Sequence, residues 1–525
     1  MPLAPYSRTI RTLLDEQAAR HASRPAVRFG DQCLTYEALR AEVIAFAAGL
    51  QKRGIEHGDH VGILMGNRTE WIVATLAIQW LGAVTVGVNT WSSHDELVFN
   101  LAHPRVKLLI AARSLGRRDF VSAIGQIRQR GLVPDLVHVD WVEPQFTPAA
   151  TLFGLDVPNP EPLPQAREPE ASDVGTLFYT SGSTAQPKAI LLAQGDAIVN
   201  AWNIGERMKV TSEDRFWLAV SMFWTFGGVN ALLNALTHGA CCVLQESFDA
   251  EQALRLIDTE RCTVYYGIPN MVSAMLDHPK RPEYDVSSLR TGLTIGTREQ
   301  MAQAVELGIT QICQVYGLSE TYGNCCVTDA DDPFEIRATT GGQPLPGFTL
   351  KVCDQVTGER LPQGATGEIR VLGRCMLGYY REPEKTAEAF DEEGYLKTGD
   401  LGLLDEAGRV HFRGRLKEMI KTGGINVAPS EIEHVLLQHP DIFDAYVVGL
   451  PDARVDELIA AAVVLHRDAT MTEEQIRAYC QQRLAAYKVP KVFAFVNLQD
   501  LPLTSTGKIQ KNRIGATVFA TREPG

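Results

Sequence analysis

The stretch FYTSGSTAQPKAILL (residues 178–192) decides how this sequence is interpreted. Strand-like apolar runs at 174–179 and 189–193 enclose a turn that is rich in Thr, Ser and Gly and carries one lysine, Lys188. Hydroxyl groups, exposed backbone N–H groups and a cationic side chain together suit a polyphosphate. The spacing differs from G-x-x-x-x-G-K-[ST], which excludes the common loop of nucleotide triphosphatases. Taken alone, the stretch is interpreted more simply as a solvated hairpin loop.

Helix-like and strand-like segments alternate on both sides of this turn. HVGILMG (60–66) is a short apolar run bounded by glycine, which is typical of a buried parallel strand. The next segment, 67–83, has the pattern of an amphipathic helix closed by Gly82, and VTVGVN returns as a strand. This βαβ order recurs as far as QVYG at 314–317. We therefore predict an α/β fold with parallel sheets covered by helices.

The pattern changes near residue 347. Short strand-like runs joined by Gly- and Asp-containing turns follow, which indicates a β-rich region. Beyond GRLKEMIK the chain alternates again, and PSEIEHVLLQHP has the Pro and early Glu of a helix start. We predict two domains, residues 1–416 and 417–525.

Bulk properties exclude several classes of protein. The chain has 525 residues and a net charge of −13, which disfavours nonspecific binding to nucleic acid or anionic membranes. Its ten cysteines show no CxxC pair and no zinc-like spacing, so we expect reduced, buried thiols in the cytoplasm. The N-terminus lacks the apolar region of a signal peptide, and no apolar run is long enough to predict a membrane span.

Four further motifs follow residues 178–192: QVYGLSET (314–321), YLKTGD (395–400), GRLKEMIKTGGINVAPSEIE (414–433) and LPLTSTGKIQKNRI (501–514). Together, and in this order, they resemble the signatures of the adenylate-forming superfamily. This superfamily contains acyl-CoA and aryl-CoA ligases, firefly luciferase and the adenylation domains of peptide synthetases. The resemblance runs from about residue 10 to 515. It implies a large N-terminal domain of stacked αβ sheets plus a distorted β-barrel, with a small mobile α+β C-terminal domain.

The resemblance also implies an activity. The expected enzyme joins a carboxylic acid to ATP, releases pyrophosphate, and transfers the acyl group from the acyl-adenylate to CoA, with ATP, Mg²⁺ and CoA as cofactors. Catalysis would rest on positioning and electrostatic stabilisation. One alternative is transfer to a carrier-protein thiol or another nucleophile, including activation of a small acid such as nitrite. A non-catalytic nucleotide-binding relative is a second alternative. The oligomeric state, a homodimer included, stays open.

Residue roles follow from the same resemblance. The residues implied to hold the β- and γ-phosphates are Thr180, Ser181, Gly182, Ser183, Thr184 and Lys188. Glu320 takes the place of the Mg²⁺ ligand, and the hydroxyl of Ser319 faces the α-phosphate where relatives carry threonine. Lys508 is the implied catalytic lysine, which bridges the acid and the α-phosphate.

The remaining nucleotide contacts are implied at two places. Gly296 and the pair Tyr316–Gly317 correspond to positions beside adenine. Asp400 would accept hydrogen bonds from both ribose hydroxyls, as a carboxylate does well, and Arg415 would support the same sugar.

The second half-reaction has its own implied residues. Lys417 occupies the hinge position about which the C-terminal domain turns, a motion that is typical of such ligases. Gly423 and Gly424 would let the CoA thiol approach closely, with Lys421 nearby.

The sequence departs from the family pattern at the phosphate loop. Ala185 and Ala189 stand where relatives carry glycine, and Gln194 replaces a common histidine. A positive φ at either alanine would cost about 1 kcal/mol.

The acyl pocket departs as well. Phe223, Trp224 and Gly227 belong to the implied pocket, and Trp224 stands in a usual histidine position. A flat aromatic or compact acid is therefore favoured over a long acyl tail. At 295–297 the sequence has IGT where the family pattern has GGA, and the next residue, Arg298, is interpreted as a surface residue. The pair Cys325–Cys326 is a candidate for the pocket lining.

Overall fold

The computed structural model describes residues 7–155, 167–180, 187–422, 425–452, 455–467, 469–503 and 509–520. Its α-helices, numbered in chain order, are α1 (Ile10–His21), α2 (Tyr36–Lys52), α3 (Thr69–Trp80), α4 (His94–Ala102), α5 (Phe120–Gln129), α6 (Ala149–Phe153), α7 (Gln194–Met208), α8 (Leu232–His238), α9 (Ala250–Thr259), α10 (Pro269–Leu276), α11 (Arg298–Leu307), α12 (Phe334–Thr339), α13 (Pro383–Ala389), α14 (Pro429–Leu437), α15 (Glu473–Gln481) and α16 (Lys511–Val518).

Its strands are β1 (Pro25–Phe29), β2 (Gln32–Thr35), β3 (His60–Leu64), β4 (Val84–Gly87), β5 (Leu108–Ala112), β6 (Ser114–Leu115), β7 (Arg118–Asp119), β8 (His138–Val142), β9 (Val174–Thr180), β10 (Lys188–Ala193), β11 (Arg215–Leu218), β12 (Cys241–Leu244), β13 (Val264–Tyr266), β14 (Thr291–Thr294), β15 (Gln311–Tyr316), β16 (Cys326–Val327), β17 (Gln343–Pro344), β18 (Phe348–Cys353), β19 (Gly367–Gly373), β20 (Gly378–Tyr379), β21 (Leu396–Leu404), β22 (Val410–Arg415), β23 (Ile420–Thr422), β24 (Ile425–Val427), β25 (Ile442–Asp452), β26 (Asp456–Leu465) and β27 (Val492–Phe495).

Two large sheets carry the first part of the chain. One has nine strands in the order β17-β16-β15-β14-β13-β11-β12-β1-β2, and its centre is parallel from β15 to β1. The other has seven strands in the order β20-β10-β9-β4-β3-β5-β8, and it is parallel from β9 to β8. The parallel α/β architecture predicted from the sequence is confirmed.

Helix α3 differs from its prediction. Its sequence was expected to be amphipathic, but all twelve residues are buried. The helix contacts β1 of the nine-stranded sheet and both β3 and β4 of the seven-stranded sheet. Because it packs against both sheets, it has no solvent-facing side, and its polar residues are buried with partners. Glu70, for example, accepts hydrogen bonds from the Arg68 guanidinium at 3.0 Å and from the Thr147 amide at 3.1 Å.

The chain forms two compact units. The first comprises residues 1–350, 371–396 and 407–410, and the second comprises 351–370, 397–406 and 411–525. The β-rich region forms a four-stranded sheet in the order β18-β19-β21-β22. A domain boundary at 416/417 stays a prediction.

The second unit also contains a sheet buried on both faces. Its strands run β24-β23-β26-β25, with β27 beside β26. Val447, Ala461 and Val463 pack on one face with residues of α14 and α15, whereas Val448 and Ala460 pack on the other with residues of α16. Successive residues of a strand point to opposite faces of the sheet, so neighbouring residues of these strands enter two different hydrophobic cores.

None of the helices within the described residues combines the length and the apolar character needed to cross a bilayer.

Candidate active site

The strands that flank the Ser/Thr-rich turn form an antiparallel hairpin. Thr180 pairs with Lys188, and Tyr179 pairs with Ala189. Ala189 is buried and extended within β10, so its backbone does not need a glycine. The turn residues Ser181, Gly182, Ser183, Thr184 and Ala185 lie outside the described part of the chain. Their phosphate-binding role stays a prediction.

A tyrosine joins this hairpin to the candidate metal ligand. The ammonium of Lys188 lies 4.4 Å from the ring centroid of Tyr379. The Tyr379 hydroxyl donates a hydrogen bond to Oε1 of Glu320 at 3.0 Å. The structure therefore brings Lys188 and Glu320, which are far apart in the sequence, to the two ends of one side chain.

Sequence reasoning missed Tyr379. It lies in LGYYREP, a segment outside all five quoted motifs, and its strand β20 has only two residues. The signal that could have found it is the glycine before it, because Gly378 begins β20 with φ +146°, a backbone conformation that favours glycine.

Glu320 lies in a short 3₁₀ turn, Ser319–Thr321. The Thr321 hydroxyl accepts a hydrogen bond from the Leu318 amide at 3.0 Å, and the Met376 amide donates to the Glu320 carbonyl at 2.7 Å. Ser319 and Glu320 are both half-buried, so their side chains keep contact with solvent.

The surroundings of Glu320 fit Mg²⁺ better than a metal held by protein alone. The described residues contain no group of three or more His, Cys, Asp or Glu that could hold a metal ion. Mg²⁺ commonly uses one or two carboxylates and takes its other ligands from substrate phosphates and water. A single, partly exposed carboxylate that shares Tyr379 as a partner with Lys188 of β10 matches that donor set.

Strands β14 and β15 are adjacent and parallel, and their carboxyl ends carry three of the predicted nucleotide contacts. Gly296 lies just beyond the end of β14, Tyr316 is the last residue of β15, and Gly317 follows it. The Gly296 amide donates to the Gln314 side chain at 3.0 Å. A Cβ on Gly317 would lie 2.4 Å from the Gly323 carbonyl oxygen, so only glycine fits there. Ligands of α/β sheets bind at such strand ends.

The candidate acyl pocket begins with an aromatic cluster. Trp224 makes edge contacts with Trp91 and Phe223, at centroid distances of 5.2 and 4.8 Å. A π-helix, Thr225–Ala231, follows directly, and such helices are frequent at functional sites. A Cβ on Gly227 would lie 2.5 Å from the Ser221 carbonyl oxygen, which explains the glycine.

Asn67 holds the segment in front of this π-helix, and sequence reasoning missed it. Its amide group donates to the Val220 carbonyl at 2.9 Å and accepts from the Met222 amide at 3.0 Å. Asn67 directly follows HVGILMG (60–66), so its position after a buried strand was the available signal.

Two remaining predictions near the pocket can be located. Arg298 forms an exposed ion pair with Glu335, with Nε and Oε2 3.0 Å apart, which agrees with its interpretation as a surface residue.

Cys325 and Cys326 are fully buried, and the Cys325 thiol contacts the Tyr316 carbonyl at 3.6 Å. Burial raises the pKa of Cys326 well above its ordinary value, so its thiol stays protonated.

The candidate ribose ligand lies in the second unit. Asp400 is only 2% exposed, and its Oδ1 lies 3.2 Å from Nε of the largely exposed Arg415. The Asp400 amide donates to the Thr398 hydroxyl at 3.0 Å. Gly399, with φ +68°, donates to Glu368 at 3.3 Å, and Glu368 pairs with Arg370.

The candidate residues of the second half-reaction are only partly described. Lys417 belongs to the 3₁₀ turn Leu416–Glu418. Lys421 lies in β23, where its amide donates to Glu457 at 2.7 Å. Gly423, Gly424 and Lys508 lie outside the described residues, so their roles stay predictions.

Comparison with known proteins identifies the family of this chain. A model of the AMP-binding enzyme family matches residues 14–380, and a model of the AMP-binding enzyme C-terminal domain matches residues 431–508. The putative acyl-CoA synthetase YngI of Bacillus subtilis is 33% identical, over 96% of this chain and 96% of the relative.

Solved structures of similar proteins extend the match. ATP-bound MatB from Rhodopseudomonas palustris has a TM-score of 0.85 and 27% identity, covering 97% of this chain and 99% of MatB. The anthranilate CoA ligase AuaEII in complex with anthranoyl-AMP has a TM-score of 0.85 and 28% identity, covering 98% of each chain. The chain therefore belongs to the AMP-binding enzyme family, as an acid-activating ligase of the acyl-CoA synthetase type.

Proposed function

We propose that this ligase makes acyl-CoA from a flat aromatic or compact carboxylic acid in two steps. The acid oxygen attacks the α-phosphate of ATP, which gives the acyl-adenylate and releases pyrophosphate. The CoA thiol then attacks the acyl carbon, which gives the thioester and releases AMP. The observation that supports this proposal is the convergence of Lys188 and Glu320 on Tyr379, because a cation suited to phosphates and a carboxylate suited to Mg²⁺ both contact one side chain.

In the first step, the chain handles a large negative charge. Lys188 and the hydroxyl-rich turn hold the β- and γ-phosphates, while Ser319 donates to the α-phosphate. Mg²⁺ on Glu320 would neutralise phosphate charge when it is bound. Lys508 bridges the acid and the α-phosphate, so both reactants are held together.

The nucleoside is held by other residues. Asp400 accepts hydrogen bonds from the ribose hydroxyls, and Arg415 keeps this carboxylate in place. Gly296, Tyr316 and Gly317 contact adenine, where a side chain on Gly317 would displace the backbone at Gly323.

In the second step, the acceptor is CoA. Lys417 acts as the hinge residue, and Gly423 and Gly424 leave room for the pantetheine arm beside Lys421. Transfer to a carrier-protein thiol or to another nucleophile is the alternative for this step only.

The acid class follows from the aromatic cluster. Trp91, Phe223 and Trp224 supply flat apolar surfaces, which favour an aromatic or compact acid over a long flexible chain. The complex of AuaEII with anthranoyl-AMP concerns an aromatic acid and supports this assignment.

We place the enzyme in the cytoplasm, where ATP and CoA are available and where its ten free cysteines stay reduced. The homodimer that the sequence left open stays a prediction.

The decisive experiment is a panel of carboxylic acids. Pyrophosphate release, AMP formation and CoA thioester are measured for benzoates, anthranilates, short-chain acids and long-chain acids. We expect acid-dependent pyrophosphate and thioester with aromatic or compact acids. Activity confined to long-chain acids would contradict the acid class. Pyrophosphate without thioester would favour another acceptor, and no pyrophosphate with any acid would contradict the ligase itself.

A further inference from the structure

Tyr379 is held by the backbone on two sides. The Leu377 amide donates to the Leu191 carbonyl at 2.9 Å, and the Tyr380 amide donates to the Ala189 carbonyl at 2.8 Å. Between these bonds, the Tyr379 amide donates to the Thr386 hydroxyl at 2.9 Å. The tyrosine therefore has little freedom to move relative to strand β10.

Strand register explains why Tyr379 meets Lys188. Tyr379 pairs with Ile190 in the antiparallel ladder between β20 and β10. Lys188 precedes Ile190 by two residues and so points to the same face, as a diagonal neighbour within reach of an aromatic ring. Its ammonium lies over that ring at 4.4 Å, a cation–π contact.

The hydroxyl end of Tyr379 faces the carboxylate. It donates to Glu320 at 3.0 Å, and the Tyr379 side chain is nearly buried, at 8% exposure. A carboxylate that accepts such a bond keeps one oxygen oriented and leaves the other oxygen for a ligand.

We propose that Tyr379 is a positioning residue that orients Glu320 for the metal through its hydroxyl and supports Lys188 for the phosphates through its ring. This inference rests on the proposed function for the identity of the ligand, Mg²⁺–ATP. Partners of metal ligands commonly control metal affinity in this way, although they touch neither the metal nor the reacting atoms.

The two contacts can be separated by two substitutions. Tyr379→Phe removes the hydroxyl and keeps the ring, whereas Tyr379→Leu removes both. ATP affinity is measured by calorimetry with excess Mg²⁺ and with EDTA, and bound Mn²⁺ is measured by electron paramagnetic resonance with a non-hydrolysable ATP analogue. Thermal melting of each variant reports folding.

For Tyr379→Phe we expect the gain in ATP affinity that Mg²⁺ provides to fall about 10-fold. The affinity for Mn²⁺ should fall by the same factor, which is the lower end of the losses seen when partners of metal ligands are mutated. Affinity in EDTA should stay unchanged. Tyr379→Leu should also lower affinity in EDTA, by about 2- to 5-fold, for the lost cation–π contact. If it does not fold, Tyr379→Phe still decides the role of the hydroxyl.

A double-mutant cycle tests whether the hydroxyl acts through the carboxylate. In a Glu320→Gln background, Tyr379→Phe should have no further effect on metal dependence. The matched control is Tyr284→Phe, because the Tyr284 hydroxyl makes a partly buried contact with another glutamate, Glu251, at 3.3 Å. This control should leave every measurement unchanged.

Two outcomes would overturn the inference: wild-type metal dependence in Tyr379→Phe, or an equal loss of ATP affinity with Mg²⁺ and with EDTA. Neither resembles failure of the proposed function, in which wild-type protein binds Mg²⁺–ATP but releases no pyrophosphate with any acid.

Discussion

Single residues in this chain are constrained most strongly where backbone segments approach each other. Gly317 is the clearest case, since its Cβ would meet three backbone atoms of residues 323–325 at 2.4 to 2.9 Å. Backbone atoms in a packed turn cannot yield as a flexible side chain does. Packing alone therefore explains the glycine in the YG motif.

We expect Gly317→Ala to abolish measurable adenylation and to lower the free energy of unfolding by about 1–3 kcal/mol, as overpacking does. Acid-dependent pyrophosphate release and urea denaturation measure the two effects. Gly125→Ala is the matched control, because a Cβ there meets nothing within 4 Å inside α5. It should stabilise the protein by about 0.5–1 kcal/mol. Wild-type activity in Gly317→Ala would contradict the packing argument.

At the scale of elements, short irregular segments are positioned by side chains from distant strands and helices. Asn67 follows β3 and holds residues 220–222, directly before the π-helix. In the second unit, Glu433 of α14 pairs with Lys511 of α16 at 2.7 Å and accepts from the Val447 amide at 2.7 Å. Both examples join elements that are far apart in the sequence.

Asn67→Ala removes the hydrogen bonds of this side chain and leaves the Val220 carbonyl and the Met222 amide without their partner in a buried place. The free energy of unfolding should fall by about 1–3 kcal/mol. We also expect KM for the acid to rise at least several-fold, while Kd for ATP stays unchanged, because the segment leads into the acyl pocket. Asn203→Ala removes a comparable bond to the Pro346 carbonyl on the surface and should change neither constant. Equal effects of the two substitutions would contradict the assignment.

Glu433 gives a prediction about pH. Burial raises the pKa of Glu433 above its ordinary value of 4.5, although Lys511 acts in the opposite direction. The folded state therefore binds the proton more tightly than the unfolded state. The contribution of this group to stability is full below the unfolded pKa and is lost as pH rises through the folded pKa.

Denaturation of wild type and Glu433→Gln at a series of pH values measures this effect. The difference in free energy of unfolding, wild type minus variant, should be more favourable to wild type at pH 4 than at pH 7. A difference that grows in the opposite direction would mean that Lys511 dominates and that the pKa is lowered.

At the scale of the whole molecule, the proposed mechanism uses one active site for two reactions. The residues assigned to adenylation include Lys508, whereas those assigned to thioester formation include Lys421, Gly423 and Gly424. A lysine that serves only the first reaction should be dispensable for the second.

We expect Lys508→Ala to lower the rate of adenylation by about 10²-fold or more, in line with the loss of one stabilising charge at a reacting centre. Thioester formation from supplied acyl-adenylate and CoA should remain near the wild-type rate. Both half-reactions are measured by single turnover, and the exposed Lys491→Ala serves as the charge-matched control. Loss of both half-reactions in Lys508→Ala would contradict the division of roles.

The sequence by itself determined the fold class, the order of the elements and the family. Hydrophobic periodicity reports local geometry, and the glycine- and hydroxyl-rich motifs are contiguous, so both can be recognised along the chain. Lys188, Glu320 and Asp400 could be named this way. The helix predicted for 67–83 is present as α3, but the amphipathic character predicted for it was wrong, because periodicity does not show that α3 packs against two sheets.

Only the tertiary structure decided which side chains support those residues. Tyr379 meets Lys188 because of the register in which β20 pairs with β10. It meets Glu320 because the Met376 amide donates a hydrogen bond to the carbonyl of Glu320. Asn67 and Trp91 reach the pocket from the other sheet and its loops. Such contacts depend on strand pairing and packing between segments far apart in the sequence, and no local pattern in the sequence encodes them.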